Sequence, residues 1–161
     1  MGRWHNHYVD GMAHFCTASV SNRQPVLNHA GAQVLYKEWE RGRTALSVSV
    51  LAYVIMPDHV HMLLWSEQGK RIQDFLQRTL SRASKRLGGG GKFWKERSRV
   101  VPVYSDKVMR IKLDYIHNNP VKECLAVTAD EWPHSGFAQI ELGRSDGAFV
   151  CDPWPHVLLA C

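Results

Sequence analysis

Two apolar segments, 44–56 and 59–65, are separated only by Pro57 and Asp58. The first segment alternates apolar residues with the period of a strand: Leu46, Val48, Val50, Ala52 and Val54. A Pro-Asp pair marks a tight turn, because proline fixes its φ angle and aspartate bonds to nearby backbone. The second segment, "HVHMLLW", is short and apolar enough to be the partner strand. The sequence therefore predicts an antiparallel hairpin.

The segments on either side of this hairpin predict further strands and helices. Residues 8–20 have a weak strand pattern, and 22–43 predict a helix with Pro25 near its start. Residues 70–87 carry one apolar stripe and predict the clearest helix, which a run of glycines ends. Residues 99–104 predict an edge strand, because Pro102 lacks the N–H that a central strand needs.

A further helix is predicted over 105–119, with Ser105 as its N-cap and Pro120 as its stop. The order β-α-β-β-α-(β)-α predicts an α+β fold, a small antiparallel sheet with helices packed on one face. Residues 1–137 are expected to form one domain, followed by an irregular tail over 138–161.

Composition narrows the class of protein. Apolar residues make up 45% of the 161 residues, which is enough for a real core. No apolar run approaches the roughly 18 residues of a membrane helix, and the N-terminus lacks a signal-peptide core. The four cysteines form no C-x-x-C pair and are expected to be reduced thiols. We therefore expect a cytoplasmic protein without a membrane partner.

The charge balance allows a polyanionic partner without requiring one. Lys and Arg exceed Asp and Glu by 20 to 15, for a formal net charge of +5. The sequence contains no P-loop, so no nucleotide cofactor is expected.

His59 and His61 lie two positions apart in the predicted second strand of the hairpin. Residues i and i+2 of a strand point to the same side, about 7 Å apart, so both imidazoles can face one metal ion. A metal site needs a third ligand from another element. The alternative is a pair of partly exposed strand histidines without function. His5 and His7 repeat the spacing, but near a terminus and outside any strong strand, so a metal site is not expected there.

Tyr115 and Asn119 are one helical turn apart, so they share one face of the predicted helix 105–119. Beside a metal, Asn119 can offer an amide oxygen and Tyr115 can act as a nucleophile toward phosphorus. The alternative is that Tyr115 is a packing residue and that Asn119 belongs to the end of the helix.

The two motifs together resemble a known family. "MPDHVHMLLW" resembles the His-hydrophobic-His motif of the HUH endonucleases, and "LDYIHNNPVK" resembles the tyrosine helix of the REP-associated tyrosine transposases. "HFCTASVSNRQPVL" and "EWPHSGF" are similar to the same family, so the resemblance spans residues 8–137. It implies an RRM-like or ferredoxin-like antiparallel sheet, with the HUH histidines on a central strand.

The resemblance also implies roles for single residues. His59 and His61 correspond to the metal-binding histidines, Tyr115 to the catalytic nucleophile, and Asn119 to a polar third ligand. The metal implied is Mg²⁺ or Mn²⁺. The implied reaction is cleavage and transfer of single-stranded DNA through a 5′-phosphotyrosine, at REP-type hairpins. Asp58 is interpreted as a turn residue. The alternative is that its carboxylate contacts the metal-binding histidines.

Single-stranded or hairpin DNA is the implied partner, and basic residues are the candidates to contact it. They are Arg78, Arg82 and Lys85 on the helix 70–87, Lys92, Lys95 and Arg97 in "KFWKERSR", and Lys122. Phe93 and Trp94 either stack on bases or belong to the core. The resemblance favours a monomer, with a dimer that shares active sites as the alternative, and a cytoplasmic, nucleoid-associated location.

Two alternative functions would use fewer of these candidate residues. One is a non-catalytic RRM-like module that binds single-stranded nucleic acid, although the RRM sequence motif is absent. The other is a metal-dependent hydrolase that uses water, for which Tyr115 would be dispensable. Among the other tyrosines, Tyr104 is the second choice of nucleophile.

Overall fold

The computed structural model describes residues 5–89, 92–144 and 149–155. Four strands and four helices follow one another along the chain, with short 3₁₀ turns at Ser21–Arg23 and Ala129–Glu131. They are β1 (Met12–Ser19), α1 (His29–Leu46), β2 (Ser49–Met56), β3 (His59–Ser66), α2 (Gly69–Arg86), β4 (Arg99–Pro102), α3 (Asp106–Lys122) and α4 (Phe137–Leu142).

The four strands form one sheet in the order β2-β3-β1-β4, and every neighbouring pair is antiparallel. The order β1-α1-β2-β3-α2-β4 with this strand arrangement is the ferredoxin-like topology. The predicted hairpin is β2 and β3, joined by Pro57 and Asp58. The α+β fold and the edge strand at 99–104 are thus confirmed.

Side chains alternate between the two faces of the sheet. On β3, Val60, Met62 and Leu64 belong to the core that the sheet forms with α1 and α2. On the opposite face, apolar residues of the sheet pack with Met109 and Ile116 of α3.

The expectation of helices on one face is therefore wrong for α3. Helices α1 and α2 are crossovers between strands and share one face, whereas α3 follows the last strand and covers the other. Its apolar residues need a surface to pack on, and the second face of the sheet supplies one.

Ser105 caps α3 as predicted, since its side chain accepts a hydrogen bond from the Val108 N–H over 3.2 Å. The prediction that Pro120 stops the helix is wrong, because α3 continues to Lys122. The missing N–H removes one i→i−4 hydrogen bond from α3, and the helix still continues for two residues beyond Pro120. The helix closes two residues later with paired bonds, Leu125 N to Pro120 O and Cys124 N to Val121 O, and Cys124 is left-handed at φ 56°.

Helix α1 begins later than predicted. Its N-cap is Asn28, whose Oδ1 accepts a hydrogen bond from Gly31 N over 3.0 Å, so Pro25 lies before the helix and not in its first turn. Helix α2 agrees with the prediction to within one residue at each end.

The described part of the segment 138–161 contains more regular structure than the predicted irregular tail. Residues Phe137–Leu142 are helical, and Phe149 is buried in an aromatic cluster with Tyr36, Trp39 and Tyr53. The backbone N–H of Asp152 donates to Val50 O over 2.8 Å, so this segment pairs with β2. Residues 145–148 and 156–161 lie outside the described residues, and the division after residue 137 stays a prediction.

Two predictions from composition can be compared with the structure. Within the described ranges, no helix combines the length and apolar character needed to cross a membrane. Cys16, Cys124 and Cys151 are free thiols, while Cys161 lies outside the described residues.

Candidate functional site

His59 and His61 lie at the start of β3, an inner strand, and face α3. They are only 4% and 5% exposed, and their ring centroids are 4.7 Å apart. Phe15 of the neighbouring strand stacks on His61 with centroids 5.3 Å apart. The strand pattern of the sequence thus brings both imidazoles to one small region of one face, as the spacing predicts.

The Nδ1 atom of each imidazole already has a partner. Thr17 is directly opposite His61 in the β1–β3 register, and its Oγ1 is 2.8 Å from His61 Nδ1. His59 Nδ1 is 2.5 Å from Asp58 Oδ1. These contacts leave Nε2 of each ring as the nitrogen that can bind a ligand. His61 Nε2 is buried and has no hydrogen-bond partner among the described residues.

Burial lowers the pKa of His61 to about 3, and the nearby side chains of His59, Arg23 and Lys112 act in the same direction. The ring is therefore neutral near pH 7. Neutral imidazole is the form that binds metal, so the environment of His61 suits a ligand.

Tyr115 and Asn119 lie on α3 and meet this face of the sheet. Tyr115 is 37% exposed, and its ring centroid is 5.1 Å from that of His61 and 5.8 Å from that of Phe15. Asn119 is 3% exposed, and its Oδ1 has no hydrogen-bond partner among the described residues. A buried amide oxygen without a partner is costly unless a ligand satisfies it.

The residues of this site fit a divalent metal. Two imidazole nitrogens and one amide oxygen are available, and at least two of these atoms, His61 Nε2 and Asn119 Oδ1, are buried without partners. Within the described part of the chain, no cluster of three or more His, Cys, Asp or Glu side chains is placed to hold a metal. The buried amide oxygen of Asn119 is therefore the candidate for a third ligand beside the two imidazoles.

Asp58 does more than form the turn between β2 and β3. Besides its contact with His59, its Oδ2 is 2.7 Å from Arg23 Nε. The structure thus supports the alternative interpretation of Asp58, in which it contacts the histidines. Arg23 was not among the sequence candidates, because it lies far from the motif in the chain and no pattern marks it.

Two lysines lie beside the aromatic rings of the site. Lys122 Nζ is 5.0 Å from the centroid of Tyr115, and Lys112 Nζ is 4.6 Å from that of Phe15. Lys122 is one of the predicted DNA contacts. Lys112 is three residues before Tyr115, and this helical spacing was the signal that could have identified it.

The cations predicted on α2 lie elsewhere. Helix α2 packs on the face of the sheet opposite to α3, so Arg78, Arg82 and Lys85 are not part of the histidine site. Arg82 and Lys85 line a surface groove of about 470 Å³ together with Arg41 and Arg86.

The segment with Lys92, Lys95 and Arg97 lies alongside the end of β1. Its Lys95 N donates a hydrogen bond to Ser19 O over 2.8 Å. These three cations are exposed. Phe93 and Trp94 are half-buried and pack against the core. The structure therefore supports the core interpretation of these two aromatic residues over base stacking.

The chain is similar in sequence to known proteins. A family model described as IS200-like transposases matches residues 8–119. The curated REP-associated tyrosine transposase of Escherichia coli (strain K12) is 24% identical over 137 residues, which cover 85% of this chain and 83% of that protein.

Solved structures share the fold. A REP-associated tyrosine transposase bound to a REP hairpin matches with a TM-score of 0.81 and 22% identity, over 96% of this chain and 92% of the other. A candidate transposase from Deinococcus radiodurans R1 matches with a TM-score of 0.50 and 23% identity, over 73% of this chain and 95% of the other. At these identities the likeness shows the fold.

Proposed function

Because the chain belongs to the family of IS200-like transposases, we propose that it cleaves and rejoins single-stranded DNA through a covalent 5′-phosphotyrosine on Tyr115. One observation carries this proposal. A partly exposed phenol lies 5.1 Å, ring to ring, from a buried histidine whose free nitrogen lacks a partner. A packing residue needs no such neighbour, whereas a nucleophile for a metal-bound phosphate does.

In the proposed step, the Tyr115 oxygen forms a bond to the scissile phosphorus as the bond to the 3′ oxygen breaks. The phenol proton is lost to solvent, and the departing 3′ oxygen takes up a proton. The phosphodiester is exchanged and not hydrolysed, so a 3′ hydroxyl can reverse the step and join DNA without ATP. The exposure of Tyr115 gives a DNA strand access to the phenol.

His59, His61 and Asn119 would hold Mg²⁺ or Mn²⁺. Such an ion polarises a phosphoryl oxygen and neutralises charge that develops in the transition state. The amide oxygen favours a hard cation, in agreement with the metal expected from the resemblance. Thr17 fixes the orientation of His61, and Phe15 packs against both His61 and Tyr115.

The basic residues divide into two groups in this proposal. Lys112 and Lys122 lie beside the site and would contact phosphates next to the scissile bond. Arg78, Arg82 and Lys85 lie on the other face of the sheet and would bind more distant parts of the DNA. The segment with Lys92, Lys95 and Arg97 is bonded to Ser19, the partner of His59 in the β1–β3 register, and would contact DNA along that end of the sheet.

We further propose a hairpin substrate of the REP type, since the structural neighbour is bound to a REP hairpin. The expected monomer, its cytoplasmic location and its association with the nucleoid belong to the same proposal.

The test is a covalent trapping experiment. The protein is mixed in Mn²⁺ with fluorescent DNA hairpins that carry single-stranded tails, and the products are separated on a denaturing gel. A protein–DNA band is expected for the wild type and for Tyr104→Phe, which removes a more exposed phenol just before α3. The band is expected to be absent with Tyr115→Phe and with a chelator.

Two results would contradict the proposal. Cleavage that persists in Tyr115→Phe would mean that water or another residue is the nucleophile. Binding of hairpins without cleavage, over a panel that includes the expected substrate, would favour the non-catalytic module.

A further inference from the structure

Arg23, Asp58 and His59 form a chain of charged and polar contacts at the edge of the site. His59 Nδ1 is 2.5 Å from Asp58 Oδ1, and Asp58 Oδ2 is 2.7 Å from Arg23 Nε. The side chains become less exposed toward the site, from 46% for Arg23 through 20% for Asp58 to 6% for His59. Each carboxylate oxygen of Asp58 thus has a separate donor.

The backbone holds this chain in place. Asp58 O accepts a hydrogen bond from Val20 N over 2.8 Å, which ties the β2–β3 turn to the end of β1. Arg23 has φ 54° and its neighbour Asn22 φ 55°, so both are left-handed. That conformation is unfavourable for arginine, while asparagine adopts it more readily. The turn that directs Arg23 to Asp58 is therefore kept at an energetic cost.

A carboxylate differs from a hydroxyl as a partner of imidazole. The carboxylate of Asp58 can only accept a hydrogen bond, so His59 Nδ1 must carry the proton. The hydroxyl of Thr17 can donate or accept, so it does not by itself fix the proton of His61. The two histidines of the site thus differ in how strictly their neighbours set the tautomer.

We propose that Asp58, oriented by Arg23, is a positioning residue that keeps the proton of His59 on Nδ1 and leaves Nε2 as an unprotonated donor toward the site. Arg23 occupies one carboxylate oxygen and directs the other to the imidazole. The tautomer is a property of the metal-free protein; only its use in metal binding rests on the function proposed above.

Asp58→Asn gives a sharp test because it is nearly isosteric. The amide has one oxygen, which Arg23 and His59 would both require. When that oxygen faces Arg23, the amide NH₂ faces His59 Nδ1 and pushes the imidazole proton to Nε2. The matched control is Asp130→Asn, which makes the same change on an exposed carboxylate in the 3₁₀ turn Ala129–Glu131.

The first readout is the tautomer of His59 in the metal-free protein, from long-range ¹H–¹⁵N NMR spectra in mildly alkaline buffer. Wild type and Asp130→Asn are expected to carry the proton on Nδ1, and Asp58→Asn on Nε2. The proposal is overturned if the wild type carries it on Nε2, or if Asp58→Asn leaves it on Nδ1.

The second readout is Mn²⁺ binding by calorimetry. Loss of such an outer contact typically weakens metal binding about 10–100-fold, and we expect this for Asp58→Asn but not for Asp130→Asn. Equal affinity in wild type and Asp58→Asn would overturn the positioning role. If the tautomers are as expected but no protein–DNA adduct forms with wild type, the proposed function fails while the positioning of His59 stands.

Discussion

Two pairs of histidines with the same spacing have different surroundings in this protein. His5 and His7 are exposed and lie outside the strands and helices, while His59 and His61 are buried on an inner strand. In the terminal pair, the residue between the histidines is the one that is anchored. Asn6 donates to Ser98 O over 2.8 Å and accepts from Val100 N over 3.0 Å, so its neighbours point outward.

In the internal pair the histidines themselves are anchored, through Thr17 and Asp58. The histidines of the H-x-H pattern thus point outward in the terminal pair and inward in the internal pair. Spacing alone brings two imidazoles to one side of the chain, and only the neighbouring elements make that side a site. This difference can be tested by substitutions in each pair.

The largest effect is expected from loss of a metal ligand. His61→Ala should slow DNA cleavage about 1,000-fold, because a catalytic metal supplies several kcal/mol and each factor of ten is about 1.4 kcal/mol. The double variant His5→Ala/His7→Ala should cleave within about twofold of wild type. Single-turnover cleavage on a hairpin substrate measures both. A similar loss in the terminal double variant would remove the distinction between the pairs.

A second effect concerns stability against pH. The pKa of His61 falls to about 3 in the folded protein from its ordinary value of 6.5. Below pH 6.5 the unfolded chain binds a proton that the folded chain resists, so the free energy of unfolding falls as pH drops toward 3.

We expect this loss to be several kcal/mol for metal-free protein, up to about 5 kcal/mol, since each pKa unit is worth about 1.4 kcal/mol. Urea unfolding at a series of pH values measures it. His61→Gln should flatten the dependence in this range, and the curves of variant and wild type should become parallel above it. An unchanged slope in the variant would show that His61 is not kept neutral by burial.

A smaller effect is expected from the partner of His61. Thr17→Val removes the hydroxyl next to Nδ1 and keeps the shape, so Mn²⁺ binding should weaken about 10-fold. The control is Asn6→Ala at the terminal pair, which should cost about 1 kcal/mol of stability and leave Mn²⁺ affinity unchanged. If Asn6→Ala weakens Mn²⁺ binding and Thr17→Val does not, the terminal segment, and not β1, supports the site.

The smallest effect is expected from single cations. Lys122→Gln, beside Tyr115, should slow cleavage of bound DNA about 2–5-fold, the size of a cation–π contact of about 0.5–1 kcal/mol. Arg97→Gln, beside Asn6, should leave that rate unchanged and reduce only the salt dependence of binding. If the two variants slow cleavage equally, Lys122 acts as a general phosphate contact and not through Tyr115.

The sequence predicted the parts of the site that depend on local spacing. The hairpin, the shared side of His59 and His61 and the N-cap Ser105 follow from periods of two or from capping rules. The position of α3 on the second face did not follow, because no local pattern says which face a helix covers. Pro120 was misread because the local rule treats proline as a stop, whereas α3 loses one hydrogen bond there and ends two residues later.

Contacts between distant residues were also beyond the sequence. Thr17 and His61 are 44 residues apart, and their pairing depends on the register of β1 against β3. Arg23 reaches Asp58 only because two residues adopt left-handed backbone. Phe149 joined the core for a similar reason, since its segment pairs with β2 and not with a neighbour in the chain.

Tyr115 and Asn119 share one helix, and this has a consequence for how the protein can change in length. A residue added between them would turn Asn119 by about 100° around the helix axis and away from the histidines. A residue added to the linkers on either side of α3 would leave their relation intact. The four-residue interval between Tyr115 and Asn119 is therefore closed to single insertions and deletions if both side chains are to face the histidines.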